Sequence, residues 1–285
     1  MKRKILAWCL FGFLLLIAIG VTLYPLISSY VNEKNQAIIR SEYLEEVSAA
    51  DSAELDAAWD AAAEYNASRK PVRYSNASVS EAGECYEDLL NFKGNGVMGY
   101  VEIPKINVYL PIYHGTEGAT LEKGVGHLLG SSLPVGGEST HCVLTGHTGM
   151  SNQRLFTDLE QLCEGDVFFL HILDRVLAYQ VDAIHTVEPY DTALLCGIDS
   201  RDLCTLITCT PYGVNSHRLL VRGTRIPYEV AEEIEAQEEP VTETESVWMQ
   251  QYLKGLILGV GGLILFAAVI LTFVLIRKRR RRHGS

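Results

Sequence analysis

Three residue types at distinctive positions can do chemistry together. Cys209 ends an apolar β-prone run and precedes Pro211-Tyr212-Gly213, which puts a thiol at a strand edge within reach of a reactant. A thiol of ordinary acidity is only a few per cent thiolate at neutral pH, so it needs a base or a positive neighbour to act as a nucleophile. His147, in Gly146-His147-Thr148-Gly149 at the mouth of another β run, is a candidate base or acid. Arg218 opens the β run after Cys209. A hairpin centred on Gly213 makes positions 209 and 218 cross-strand partners, and directly opposed side chains share a face. Arg218 would then stand beside the thiol and stabilise a thiolate or an oxyanion. Alternation leaves Leu219 and Val221 on the opposite, core-facing side. A nucleophile, a proton carrier and an oxyanion donor are the parts that acyl transfer requires.

Positioning these groups needs a β framework, and the sequence reads as mainly β from residue 97 onward. Short β-prone runs lie between Gly, Pro and Asn punctuation at Val97–Ile103, Ile106–Tyr113, His141–Thr145, Asp166–Leu173, Val176–Thr186, Leu203–Cys209 and Arg218–Arg225. That spacing predicts a closed barrel of seven to eight strands rather than a βαβ sheet. A short helix is expected at Leu155–Leu162 and another at Tyr86–Phe92. Residues 29–69 read as helical, with Asp51-Ser52-Ala53-Glu54 as an internal helix start and Lys70-Pro71 as the stop.

Charge and hydropathy place this domain. Nine of the 24 basic residues sit at the two ends, Lys2 to Lys4 and Arg277 to Arg282, which leaves 15 basic against 35 acidic residues between them. A nucleic-acid binder needs a basic face, so that class is excluded. The uncharged runs Ile5–Tyr24 and Gly255–Ile276 are each long enough to cross a membrane as a helix. Their basic flanks predict both termini on the cytoplasmic side and the domain between them outside. A retained anchor is expected at the N-terminus rather than a cleaved signal peptide, since no small-residue cleavage pattern closes the run. Residues 229–246 hold eight Glu and are expected to form a solvated spacer. The expected order is therefore a basic start and membrane helix at 1–28, an extracellular helical region at 29–95, the catalytic barrel at 96–228, an acidic linker at 229–252, a membrane helix at 253–276 and a basic tail at 277–285.

Of seven cysteines, six would face an oxidising exterior where disulfides are allowed, with a pairing that sequence does not reveal. No CxxC pair suggests a metal site, and neither metal nor cofactor is expected. His141 and Cys142 read as packing residues. His217, next to Arg218, is expected on the opposite face.

Thr205-Leu206-Ile207-Thr208-Cys209 resembles the TLxTC signature of sortases, the cysteine transpeptidases of the Gram-positive cell surface. The continuation Thr210-Pro211-Tyr212-Gly213 to His217-Arg218-Leu219-Leu220-Val221-Arg222-Gly223 is similar to class C, the pilin-polymerising branch, as are Gly99–Ile106, Leu110–Thr116 and Leu155–Leu159. The resemblance implies a sortase-type barrel flanked by two transmembrane helices. It makes Cys209 the nucleophile, His147 the general acid/base and Arg218 the oxyanion stabiliser, with Thr208 in the motif as a substrate contact. It implies cleavage of an LPxTG-like sorting signal between Thr and Gly, and transfer to a lysine of a pilin subunit. The implied partners are pilins or other surface proteins bearing such signals, at the membrane of a Gram-positive cell. Class C enzymes also carry a lid anchored by an Asp-Pro-aromatic motif. This chain has no Asp-Pro; Tyr74, in the polar stretch 70–82, is the candidate plug. Two other readings stay open: a sortase that anchors proteins to peptidoglycan, and a non-catalytic membrane-tethered binding scaffold.

Overall fold

The computed structural model describes residues 2–68, 86–92, 94–150, 152–237, 242 and 246–282. The candidate plug Tyr74, its surrounding stretch 70–82 and Cys85 lie outside the described residues. The chain forms two compact units, Met1–Thr22 with Thr242–Ser285, and Leu23–Val241.

The larger unit is built on eight strands: β1 (Val97–Ile103), β2 (Val108–His114), β3 (Val125–His127), β4 (Thr140–Thr145), β5 (Val167–Ile172), β6 (Arg175–Val187), β7 (Asp202–Thr210) and β8 (His217–Ile226). They close into a barrel in the order β1-β2-β3-β4-β7-β8-β6-β5. Most neighbours are antiparallel, but β2–β3 and β4–β7 run parallel. Closure leaves no sheet edge exposed for pairing with other chains. Period-two alternation sorts the side chains. Val101, Ile103, Leu144, Phe168, Leu170, Leu206 and Val221 fill the interior, whereas Val143, Ile207 and Leu220 form a smaller cluster with Leu195 on the outer face. Tyr179 and Phe168, both fully buried, stack at 5.5 Å inside, and Gly223 is the only residue type that fits beside them, since a Cβ there would lie 2.6 Å from the Phe168 ring.

The predicted strands fall within a residue or two of those observed, and β3 is an addition. The expected helix at Leu155–Leu162 is a short 3₁₀ stretch, Thr157–Gln161, and the one at Tyr86–Phe92 is a single 3₁₀ turn, Tyr86–Asp88. Both segments are too short to repeat an amphipathic pattern, and Leu90 takes a left-handed backbone that ends the second.

Two helices brace the barrel. The C-terminal half of α1 (Lys2–Ala49) buries Tyr43 and Val47. The Tyr43 hydroxyl donates to Met98 O at 3.2 Å and accepts from Leu173 N at 2.7 Å, so one side chain ties the helix to two ends of the sheet. Helix α2 (Ser52–Ser68) starts where the sequence predicts: Asp51 Oδ1 accepts from Ala53 N at 3.3 Å. Asn66 on α2 makes a two-way bridge with Leu133, donating to its carbonyl at 3.1 Å and accepting from its N–H at 2.7 Å. After a short helix α3 (Gly118–Leu121), the barrel ends into α4 (Tyr228–Glu235). Helix α4 corrects the expectation of a solvated spacer from residue 229: Ala231 is fully buried against Val167, Phe169 and Ala178.

In the smaller unit, α5 runs as one helix over Val247–Arg282. Tyr252 donates to Thr22 O at 3.0 Å and stacks on Trp248. Leu15–Ala49 of α1 contains a stretch long and apolar enough to cross a membrane.

Candidate active site

The β7–β8 hairpin carries two of the three predicted groups. Pro211 O accepts from Val214 N and Asn215 N, both at 3.0 Å, and Gly213 and Asn215 adopt positive φ, which glycine and asparagine tolerate best. This turn fixes the register that the sequence predicts, with Cys209 opposite Arg218 and Thr210 opposite His217. On its other side Arg218 opposes Val187 of β6. The Arg218 Nη1 donates to His217 O at 3.0 Å and Asn215 O at 3.3 Å, which folds the guanidinium back over the turn.

His147 arrives from the neighbouring strand. β4 and β7 pair in parallel with a constant offset, ending at Thr145 opposite Ile207. Gly146 N continues the ladder to Ile207 O at 3.0 Å. Two residues past the last pair come His147, in the loop beyond β4, and Cys209, still on β7. Both share the parity of the outer-face residues Val143 and Ile207. Thr208 locks this arrangement: its hydroxyl donates to Gly146 O at 2.8 Å. His147 O in turn accepts from Phe156 N at 3.1 Å, and Gly149 N donates to Thr157 Oγ1 at 3.2 Å. Gly146 is required by space, since a Cβ would lie 2.8 Å from the Phe156 ring. Helix α1 steadies the far end of the loop, where Asn32 donates to Asn152 O at 2.9 Å.

Cys209, His147 and Arg218 are all half-buried, neither sealed in nor fully solvated. Of the three, Arg218 lines an open groove of about 280 Å³ on the outer face of the barrel. Leu128, Val187, Leu195, Ile207 and Leu220 make much of its lining apolar, and Arg218 and Asp191 are its charged residues. The 3₁₀ turn Ala193–Leu195 overhangs it.

The remaining candidates resolve as follows. Thr208, expected to touch substrate, is 1% exposed and bonded to Gly146, because alternation turns it inward; it positions the His147 loop instead. His141 and Cys142 are packing residues as read. The His141 Nε2 meets Thr205 Oγ1 at 2.7 Å and Nδ1 meets Cys196 O at 3.0 Å, and burial lowers its pKa despite that carbonyl. His217 contacts Ser216 and lies 3.6 Å from Glu188, away from Cys209. Among the described residues, no cluster of His, Cys, Asp or Glu side chains could hold a metal ion. Sequence reasoning missed the Thr210–Glu160 hydrogen bond, 2.6 Å, which ties the residue after Cys209 to the 3₁₀ stretch that follows the His147 loop. It also missed Gly146, whose signal was its place between a strand and a histidine.

The eight-stranded mixed barrel pairs Cys209 with Arg218 on one hairpin and ties the His147 loop to β7 through Thr208. Residues 101–226 match the family model of the Sortase domain. The chain is 48% identical to a Streptococcus pneumoniae Sortase C of known structure, covering 67% of this chain and 97% of that one, with a TM-score of 0.61. It is 43% identical to sortase C1 from Streptococcus agalactiae, covering 66% and 98%, with a TM-score of 0.64. Sortase D of Bacillus subtilis (strain 168) is 33% identical over 131 residues, which is 45% of this chain and 63% of that relative, so the match spans less than two thirds of it. The chain belongs to the sortase family of cysteine transpeptidases, and its solved neighbours include class C members.

Proposed function

We propose that this chain is a membrane-anchored transpeptidase that builds covalent pili. The observation that carries the reading is the opposition of Cys209 and Arg218, the latter also lining a largely apolar groove. A sorting signal of the LPxTG kind lies in the groove with its Leu side chain among Leu128, Leu195, Ile207 and Leu220. The Cys209 thiolate attacks the carbonyl carbon of the Thr, and the developing oxyanion faces the Arg218 guanidinium. His147 gives its proton to the Gly amine as the Thr–Gly bond breaks, leaving a thioester on Cys209. A pilin lysine amine then attacks the thioester, its proton passes to His147, and the thiolate leaves. The product is an isopeptide bond. Support for the pilin acceptor comes from the neighbours: the S. pneumoniae Sortase C structure is described in connection with pilin substrate specificity.

Anchoring follows from the two ends. The apolar stretch of α1 and the helix α5, both flanked by basic residues on their terminal sides, would hold the barrel outside a Gram-positive cell membrane with both termini in the cytoplasm.

The test uses the full chain in detergent with an LPxTG-like peptide and two acceptors, a pilin subunit and a peptidoglycan-like amine. The expected result is an isopeptide-linked pilin product that disappears in Cys209→Ala. Preferential transfer to the peptidoglycan amine would assign cell-wall anchoring instead, and normal transfer by Cys209→Ala would end the enzymatic reading.

A further inference from the structure

The barrel interior holds a pair of thiols that the reaction does not use. Cys142 on β4 and Cys204 on β7 are register partners in the parallel pair. Both face the barrel interior, where they are 2% and 0% exposed. Partners on adjacent strands stand about 4.8 Å apart, within the Cα separation that a disulfide spans, with their Cβ atoms on one face. Each cysteine lies five residues before a group of the site: Cys142 before His147, and Cys204 before Cys209.

We propose that Cys142 and Cys204 form a redox-active dithiol whose oxidation to a disulfide staples β4 to β7 directly below the rim that carries His147 and Cys209. The inference takes its oxidising surroundings from the exterior placement under Proposed function; the pairing geometry is independent of it. The oxidant is an external disulfide, either a small thiol such as glutathione in its oxidised form or the disulfide of a cell-surface oxidoreductase. A local opening of the β4–β7 rim admits the oxidant; the Cys142 thiolate then attacks one sulfur of that disulfide, its S–S bond breaks and one thiolate leaves. The deprotonated Cys204 then attacks the Cys142 sulfur of the mixed disulfide and releases the second thiolate. The pair gives up two electrons and two protons, and the oxidant leaves as two thiols. The environment suits this order: burial pushes the Cys204 thiol up, whereas at Cys142 the hydrogen bonds from Cys204 and His127 outweigh burial and draw it down.

The full chain in detergent micelles is equilibrated with oxidised glutathione, acid-quenched, unfolded, alkylated and digested. Mass mapping is expected to find residues 142 and 204 in one linked peptide that separates on reduction. Reduction should lower the melting temperature by on the order of 10 °C, because the staple closes a long loop. The double variant Cys142→Ala/Cys204→Ala should melt at one temperature with or without reductant. Alkylation of both cysteines after oxidised glutathione, linkage of either to a different cysteine, or a wild-type melt indifferent to reductant would overturn the proposal. Peptide transfer measured on the same samples separates the two readings: transfer by a chain whose two cysteines stay free sinks the staple alone, and a linked chain without transfer sinks the proposed reaction alone.

Discussion

Cys209 and Arg218 stand directly opposite each other across the β7–β8 pair. Under the proposed reaction the guanidinium would face whatever charge develops beside the sulfur, and that sets the first prediction. Arg218→Lys keeps the positive charge but loses the planar fork of donors. The turnover number is expected to fall about 10²- to 10³-fold, the loss typical of one oxyanion donor, while KM for the sorting peptide changes little. Steady-state kinetics with a quenched fluorescent LPxTG-like peptide measures the split; a loss confined to KM would place Arg218 in substrate binding only.

Gly146 sits between β4 and His147 with no room for a Cβ beside Phe156. Gly146→Ala must push the loop away from the ring and displace the adjoining His147. Overpacking of this kind costs about 1–3 kcal/mol of stability. Transfer is expected to fall at least tenfold at temperatures where circular dichroism shows the barrel still folded. Unaltered kinetics would mean that the backbone position of His147 is unimportant.

Leu195 overhangs the groove and is buried against Ile207, Leu220 and Val143. Leu195→Ala removes apolar wall rather than any reacting group. The expected outcome is a KM for the sorting peptide raised about tenfold with the turnover number nearly kept, as pocket methylenes act on uniform binding. An equal fall in turnover number would show that the wall also shapes the transition state.

Acid should weaken the barrel. His114 and His141 both have their pKa lowered, chiefly by burial, against backbone carbonyl hydrogen bonds that favour the charged form. The folded state therefore prefers them neutral, and the unfolded chain takes up protons first, at about pH 6.5. Their stabilising contribution is present above that pH and is lost as the pH falls toward the lower folded values. Melting temperatures of the full chain are expected to drop between about pH 7.5 and pH 5.5, with a smaller drop in His141→Gln. A flat profile for the wild type would contradict the burial-driven shifts.

How far the sequence could be read follows the range of each contact. The Cys209–Arg218 register was legible because a hairpin is local: two alternating runs and a Pro-Tyr-Gly turn determine it within about twenty residues. The parallel pairing of β4 with β7 was not, because nothing in either strand names its partner. Grouping His147 with Cys209 therefore rested on residue chemistry and on the likeness to sortases; the structure adds the β4–β7 register and the Thr208–Gly146 hydrogen bond that holds the start of the His147 loop. β3 escaped notice because Val125–His127 is too short to alternate. Helix α4 was hidden by its glutamates; Ala231 and Ile234, three residues apart, pack toward the barrel all the same. Thr208 was misplaced because a motif records which residues recur and not which way they point.

The parallel β4–β7 pairing has a consequence for biogenesis. Thr208 and Gly146, its bonded partners across that pair, are 62 residues apart in the chain, and closure of so distant a contact is among the slowest steps available to a small β domain. If Cys209 and His147 act together as proposed, a nascent or half-assembled copy would hold its sulfur without its imidazole, and reactivity would wait until these strands had met.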